Sequence, residues 1–326
     1  MAKRFEFGWA AGAFALGTLL VCGTTSGMAA EKLAVARSSA SGFTFDALNI
    51  GIEKGIYEKN GLDVQMSVLE GSAKLHQAML AGAIDIGLGA GTDLAFLVKG
   101  SPETAVGAVM VGAGIYGLVL GPDSPIHTIA DLKGKKIGIS TMGSVTQWLV
   151  LRLAQQQGWQ RDDLTLVTVG SDSLAQTAAL TTHQIDAVMG NAALGWQFET
   201  QNRGRLFIPA SQIVNNFLMN VAYSSNKLIA ERPDALRAFL KGWYETIAWM
   251  RANRAETVTM ARKIDGFSQE VEERNYDSVM SSMSSDGKFP ADGLEALRHA
   301  FVDINLLPEE PDVSKYMTEK FLPGSH

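Results

Sequence analysis

The sequence predicts an α/β protein built from two similar lobes. Three observations carry that expectation. At 326 residues the chain is long enough for two domains of ordinary size. After residue 30, short β-rich runs alternate with helical stretches, the pattern of parallel sheets covered by helices. One βαβ pattern also occurs twice, once in each half, as two lobes of common design require.

Taken in chain order, residues 2–30 come first: a basic start (Lys3, Arg4), the apolar stretch GWAAGAFALGTLLVCG and the small-residue exit TTSGMAA. This is the order of a secretory signal, and the apolar run is short of the roughly 20 residues a spanning helix needs. Cleavage is expected after Ala29 or Ala30. Val21 precedes Cys22 where a lipidated cysteine has a small residue, so no lipid anchor is expected.

Strands are then expected at Lys32–Arg37, Asp63–Leu69, Ile84–Leu88, Val106–Met110, Lys136–Ser140, Leu164–Val169 and Ala187–Met189, with crossover strands at Tyr116–Gly121 and Phe217–Tyr223. Apolar residues at helical spacing predict helices over Phe43–Lys59, Ser72–Ala81, Thr92–Lys99, Ser144–Gln157 and Ser173–Thr182, several opened by Ser or Thr as N-caps. From Pro233, the residues Leu236, Phe239, Leu240, Trp243, Ile247 and Met250 share one helical face, so a run of helices completes the first lobe. The repeat is Val68-Leu69-Glu70-Gly71-Ser72 with Leu75 and Gln77 against Val167-Thr168-Val169-Gly170-Ser171 with Leu174 and Gln176, closed by Ile84-Asp85 and Ile185-Asp186. The expected division is 1–30 signal peptide, 31–117 first part of lobe 1, 118–222 lobe 2, and 223–326 completion of lobe 1 with C-terminal helices. A ligand would lie between the lobes, at the carboxyl ends of strands.

Composition narrows the function. The formal charge is −6, and −7 once residues 1–30 are removed, which argues against a nucleic-acid partner. Cys22 is the only cysteine. Disulfides within the chain, cysteine-based metal sites and a cysteine nucleophile in the mature protein are thereby excluded. The histidines His76, His127, His183 and His299 show no metal-ligand spacing, His183 taking the turn position that Gly82 has in the first lobe. No G-x-S-x-G nucleophile elbow occurs.

Three segments, Lys54-Gly55-Ile56-Tyr57-Glu58-Lys59-Asn60-Gly61-Leu62-Asp63-Val64, Ala81-Gly82-Ala83-Ile84-Asp85-Ile86-Gly87 and Ile129-Ala130-Asp131-Leu132-Lys133-Gly134-Lys135-Lys136-Ile137-Gly138, resemble the nitrate, sulfonate and taurine (NMT1/THI5-like) family of periplasmic substrate-binding proteins. The resemblance covers roughly residues 32–260. It implies a type II periplasmic binding protein: two Rossmann-like lobes joined by two crossover strands, a ligand cleft between them, and delivery of a small solute to an ABC permease in the inner membrane. A monomer without cofactor or metal is expected.

The residues themselves suggest where that solute sits. Gly71-Ser72, Gly91-Thr92, Gly143-Ser144 and Gly190-Asn191 each put a glycine and a short polar side chain at the start of a helix, where unsatisfied N–H groups attract anions. Ordinary caps facing water are the plainer reading of the same residues. The family places its first ligand-contacting loop at the end of the first strand, which here offers Ser38 and Ser39, with Arg37 either clasping an acid or turned away into an ion pair. Thr141 adds a hydroxyl. Trp148 and Trp196 are candidates to wall the cleft, though aromatic residues at helical spacing more often pack the core; Tyr116 and Phe217 are similarly ambiguous. The expected ligand is a small anion of sulfonate, carboxylate or oxyanion type. A neutral aromatic or pyrimidine ring is the alternative, as is an enzyme on the same scaffold, either pyrimidine-synthase-like, which the missing cysteine-rich motif disfavours, or a lyase. Mass spectrometry of the exported protein should find a chain starting at Ala30 or Glu31 without acyl groups; a retained, acylated Cys22 would overturn that expectation.

Overall fold

A computed structural model describes residues 1–2, 30–39 and 42–325. Nearly all of the expected signal segment, including Cys22, lies outside the described residues. Ten strands follow: β1 (Glu31–Arg37), β2 (Leu62–Val68), β3 (Ile86–Ala90), β4 (Glu103–Val111), β5 (Tyr116–Leu120), β6 (Lys136–Ile139), β7 (Thr165–Thr168), β8 (Ala187–Asn191), β9 (Arg205–Pro209) and β10 (Leu218–Ser225). They form two five-stranded sheets, β2-β1-β3-β10-β4 and β7-β6-β8-β5-β9. In each sheet four strands run parallel and one, β10 or β5, lies antiparallel between the fourth and the other three. The chain passes from the first sheet to the second between β4 and β5 and returns between β9 and β10, so the strands expected to cross do cross.

The repeat holds at the level of individual hydrogen bonds. In the first sheet Ala34 N donates to Asp85 Oδ2 at 3.0 Å, and Asp85 N to Ala34 O at 2.8 Å. In the second, Lys136 N donates to Asp186 Oδ2 and Asp186 N to Lys136 O, both at 2.8 Å. Gly71 N donates to Ser38 O as Gly170 N donates to Ser140 O. One aspartate therefore ties the same two strand ends in each lobe. His183, with φ of 55°, takes the left-handed turn position that Gly82 takes at 74°. Gln77 is not the counterpart of Gln176, however. Ser72–Leu80 starts one residue after Gly71 but Ser173–Thr181 starts three after Gly170, so the helices are two residues out of step and Gln176 falls in the slot of Leu75.

Several boundaries differ from expectation for local reasons. The Phe43–Lys59 stretch breaks into Phe43–Glu53 and Ile56–Lys59 because Gly55 turns left-handed at φ 63°. Thr92–Lys99 is a 3₁₀ turn, Gly91–Asp93, followed by the short helix Leu94–Val98. Ser144 caps the helix Val145–Gln156, its hydroxyl accepting from Gln147 N, but Gly71 and Asp172 cap the helices that Ser72 and Ser173 begin. β9 was not expected: it is a half-buried edge strand ending in proline, without the alternation of an inner one.

All six apolar residues of the face expected after Pro233 are buried in the helix Pro233–Ala252, where Phe239 stacks on Tyr57 with centroids 5.4 Å apart. The later helices also reach the second lobe. Arg274, on the helix Gln269–Val279, pairs with Glu199 at 2.8 Å and lies over Trp196.

Gly91 sits where β10 passes the end of β3, and a Cβ there would stand 1.8 Å from Leu218 O. No rotamer change relieves a backbone clash. Gly91→Ala should therefore lower stability in urea denaturation by about 3 kcal/mol, while Gly71→Ala, whose Cβ would meet open space, should lose only about 1 kcal/mol through its positive φ.

Candidate functional site

The carboxyl ends of both parallel strand sets face one cleft of about 920 Å³. It is the size of a small-molecule site. The N-cap residues of five helices line it: Gly42, Gly71, Ser144, Asp172 and Asn191. Helix N-termini carry positive partial charge and unpaired N–H groups, so their convergence produces a positive field without a buried cation. Ser144 Oγ also lies 2.8 Å from Thr146 Oγ1, which accepts from Ser140 N at 2.9 Å, and Asn191 Oδ1 accepts from Ala193 N at 3.0 Å. These side chains hold the loops in shape as well as facing the cleft.

Of the residues singled out from the sequence, Ser38, Ser39, Gly71, Ser72, Thr92, Thr141, Gly143, Ser144 and Asn191 line the cleft, as does Tyr116. Arg37, Gly91 and Trp148 do not. Arg37 shares its sheet position with Ile139, so alternation turns its side chain inward under the helix Phe43–Glu53; Nη1 lies 3.1 Å from Asp46 Oδ1 and 3.0 Å from Asn49 Oδ1. Gly91 is pressed against β10. Trp148, 2% exposed, stacks on Phe217 at 4.4 Å and donates from Nε1 to Asp303 Oδ2 at 3.0 Å, which pins the second lobe to the returning chain. Trp196 packs against Phe267 and Val271. The sequence reading passed over Asp93, Gln176 and Asn220, which also line the cleft. Asn220 had a signal: it is a polar residue inside an otherwise apolar crossover strand, at the position where the other crossover strand has Tyr116.

Two buried charge clusters stand behind the first-lobe wall. His76, 3% exposed, has Nδ1 2.5 Å from Glu103 Oε2 and Nε2 3.3 Å from Asp93 Oδ2. Burial alone would push its pKa down, but hydrogen bonds to Asp93 and Glu103 and their charges outweigh that and lift it to about 9. The Tyr116 hydroxyl is pushed up to about 12 by burial and by the charge of Asp93. The second cluster joins Arg37, Asp46, Asp265 and Glu272. Asp265 Oδ1 accepts from Gly42 N, the N-cap residue of the helix Phe43–Glu53, at 3.2 Å. Burial holds the carboxyls of Asp46 and Asp265 above the usual range and lifts Glu272 to about 7, with the charge of Asp265 adding to it.

Two like lobes exchanging strands around a cleft define the periplasmic-binding-protein fold. The chain belongs to the family described as NMT1/THI5 like, which residues 43–257 match. A Brucella abortus protein that bears the name of a binding protein is 28% identical over 244 residues, 71% of this chain and 72% of that one. The periplasmic aliphatic sulphonate binding protein of Escherichia coli superposes with a TM-score of 0.74 at 17% identity, over 89% of this chain and 98% of that one. The desulfurization enzyme DSZB superposes at 0.65 and 16% identity, over 89% and 97%. At such identities the likeness to the two structures is one of fold.

Among the raised groups, Glu272 and His76 act in the same direction on stability between pH 4 and 9. Glu272 binds its proton more tightly folded than unfolded, so its contribution declines as pH rises from about 4.3 to 7; that of His76 is complete below about 6.5 and is lost as pH rises through 9. Urea denaturation should show stability falling steadily from pH 5 to pH 9. Glu272→Gln should flatten the lower half of that decline. His76→Gln should flatten the upper half and, by leaving Asp93 and Glu103 buried without their partner, lose about 3–5 kcal/mol at pH 6.

Proposed function

We propose that this protein is a periplasmic solute-binding protein, exported by a cleaved signal peptide, that captures a small acid in its cleft and presents it to an ABC permease. The observation that carries this reading is the convergence of five helix N-termini on one cleft, with hydroxyls of Ser38, Ser72, Thr92 and Thr141 among them. Each helix end favours an anion by about 0.3–1 kcal/mol, more where the site is partly buried. Lys74 and Lys99 add positive charge, and an acid of sulfonate or carboxylate type suits the set.

Capture works by closure. The lobes divide near residues 117 and 222, and the crossover segments Tyr116–Gly121 and Phe217–Tyr223 absorb the rotation. A solute that touches both walls only in the closed state shifts the population toward it. Ser171 Oγ donates to Glu70 Oε2 at 3.4 Å between the two repeat loops, one from each lobe, a contact that opening would break. The protein acts as a monomer and without a cofactor. An enzyme on this scaffold is the weaker reading, since the only cysteine, Cys22, belongs to the signal segment.

Thermal-shift screening of residues 31–326 tests the proposal. An acid at 100 times its dissociation constant should add about 2.7 kcal/mol of stability. Ser72→Ala should weaken that binding by about 1 kcal/mol. Trp148→Ala should destabilise the unliganded protein by about 3–5 kcal/mol, as removal of a core aromatic does. Stabilisation by neutral aromatic solutes and by no acid would overturn the assignment.

A further inference from the structure

The two lobes align residue by residue. Paired strand registers set Arg37 against Ile139 and Ala90 against Asn191, and the helices Ser72–Leu80 and Ser173–Thr181 set His76 against Thr177. Counted on from those strands, Asp93 stands where the second lobe has Leu194, Gly42 and Ser144 are matching N-caps, and Asp46 stands where the second lobe has Trp148. The Ser144 hydroxyl accepts from Gln147 N, whereas Gly42 has no side chain to cap its helix with. What holds that helix start is a bond from outside it: Gly42 N donates to Asp265 Oδ1 at 3.2 Å, at the end of the helix Arg254–Asp265.

Asp265 also comes within hydrogen-bonding reach of Asp46, which is 0% exposed. Asp46 Oδ1 takes Arg37 Nη1 at 3.1 Å and Asp265 Oδ1 takes Gly42 N, so the oxygens left to meet are Asp46 Oδ2 and Asp265 Oδ2. Both are shut from water and neither has a donor. Two ionised carboxylates can only accept, and side by side they repel; one proton between them satisfies both. The surroundings do not supply the missing positive charge. Glu272, on the helix Gln269–Val279, adds a third carboxyl that is 0% exposed, its Oε2 accepting from Asn275 Nδ2 at 3.2 Å. The charged groups acting on the three carboxyls are Arg37 and, toward Glu272, Arg262.

We propose that Asp46 and Asp265 share one proton, and that this acid pair is a clamp that holds the cleft-lining helix start at Gly42 and releases it when alkaline surroundings remove the proton. With the proton in place, Asp46 donates to Asp265, which remains an acceptor for Gly42 N. When the proton leaves to water, two buried carboxylates face each other and drive Asp265 away from the helix start, breaking its bond to Gly42. Gly42, Thr44 and Phe45 line the cleft, so the first-lobe wall loosens with the clamp. Burial raises both carboxyls, and the charge of Asp265 raises Asp46 further, so the pair keeps its proton above the usual aspartate range. Asp265 is a positioning residue that acts through Gly42. The bearing on capture rests on the reading above, but the clamp is tested without a solute, so each can fail alone.

The test uses residues 31–326 with carbon-13 at the aspartate carboxyls. The resonances of Asp46 and Asp265, assigned by their loss in Asp46→Asn and Asp265→Asn, should titrate together, at least two units above the usual value of about 3.9. Each single variant replaces the shared proton with a permanent N–H, so its urea midpoint at pH 6 should equal or exceed that of the parent. The double variant sets two amides together at the cost of an acceptor and should fall below both. Hydrogen exchange at the Gly42 amide, corrected for the intrinsic effect of pH, should quicken at least 10-fold over the range in which the two resonances move, and should not do so in Asp46→Asn. Carboxyls that titrate in the usual aspartate range, or a double variant no weaker than the singles, would overturn the shared proton. A pair that keeps its proton through pH 9, or a Gly42 amide indifferent to its loss, would overturn the clamp.

Discussion

In a parallel sheet every right-handed return brings the next helix back so that it starts at the carboxyl edge of the strands. Much else in this molecule follows from that one constraint. Each lobe has three adjacent parallel strands, hence several helix starts along a single edge, and the second lobe repeats the first with its edge turned to face it. The partial charges of those helix ends cannot be placed elsewhere without changing the topology. The helix ends therefore contribute positive partial charge to the cleft by construction, to which the side chains add their own.

What allows the lobes to face each other is the exchange of one strand apiece. β10 enters the first sheet and β5 the second, each running antiparallel to its neighbours. The two connecting segments tether the lobes, and the Trp148–Phe217 stack fills the angle between them. Arg274 and Asp303, from the C-terminal helices, reach across the same junction. The junction thus carries an aromatic contact and a few polar ones, with the hydrophobic core continuous beneath.

Much of this was legible in the sequence because it depends on local chemistry. Alternation and capping residues located nine strands, and the recurring Gly-Ser and Ile-Asp pairs exposed the duplication before any coordinate did. The aspartates proved to be the informative half of those pairs, since Asp85 and Asp186 make the same two bonds. Sequence reading failed where direction mattered. Arg37 closes a strand beside a polar loop and could face either way; only its register opposite Leu88 sends it toward Asp46. Trp148 follows the cleft residue Thr146 by two positions, and a helix turning 100° per residue carries it about 200° round, to the opposite side. Asp93 and Asn220 were missed because the fold brings both to the cleft from 127 positions apart in the chain.

Pseudo-symmetry also separates structural from functional polarity. Asp85 and Asp186 occur in both lobes, are satisfied by the same backbone groups, and serve the fold. Arg37, His76 and Asp93 have apolar or neutral counterparts in Ile139, Thr177 and Leu194, so folding such a lobe does not require them. Arg37 and His76 lie behind the first-lobe wall and Asp93 lies in it, where burial makes each charge dependent on its neighbours. Such clusters hold their shape only while complete, and a wall backed by them is rigid in the places where Ser38, Gly42 and Thr92 present their polar atoms. The wall of the second lobe is backed mainly by aliphatic packing and helix caps.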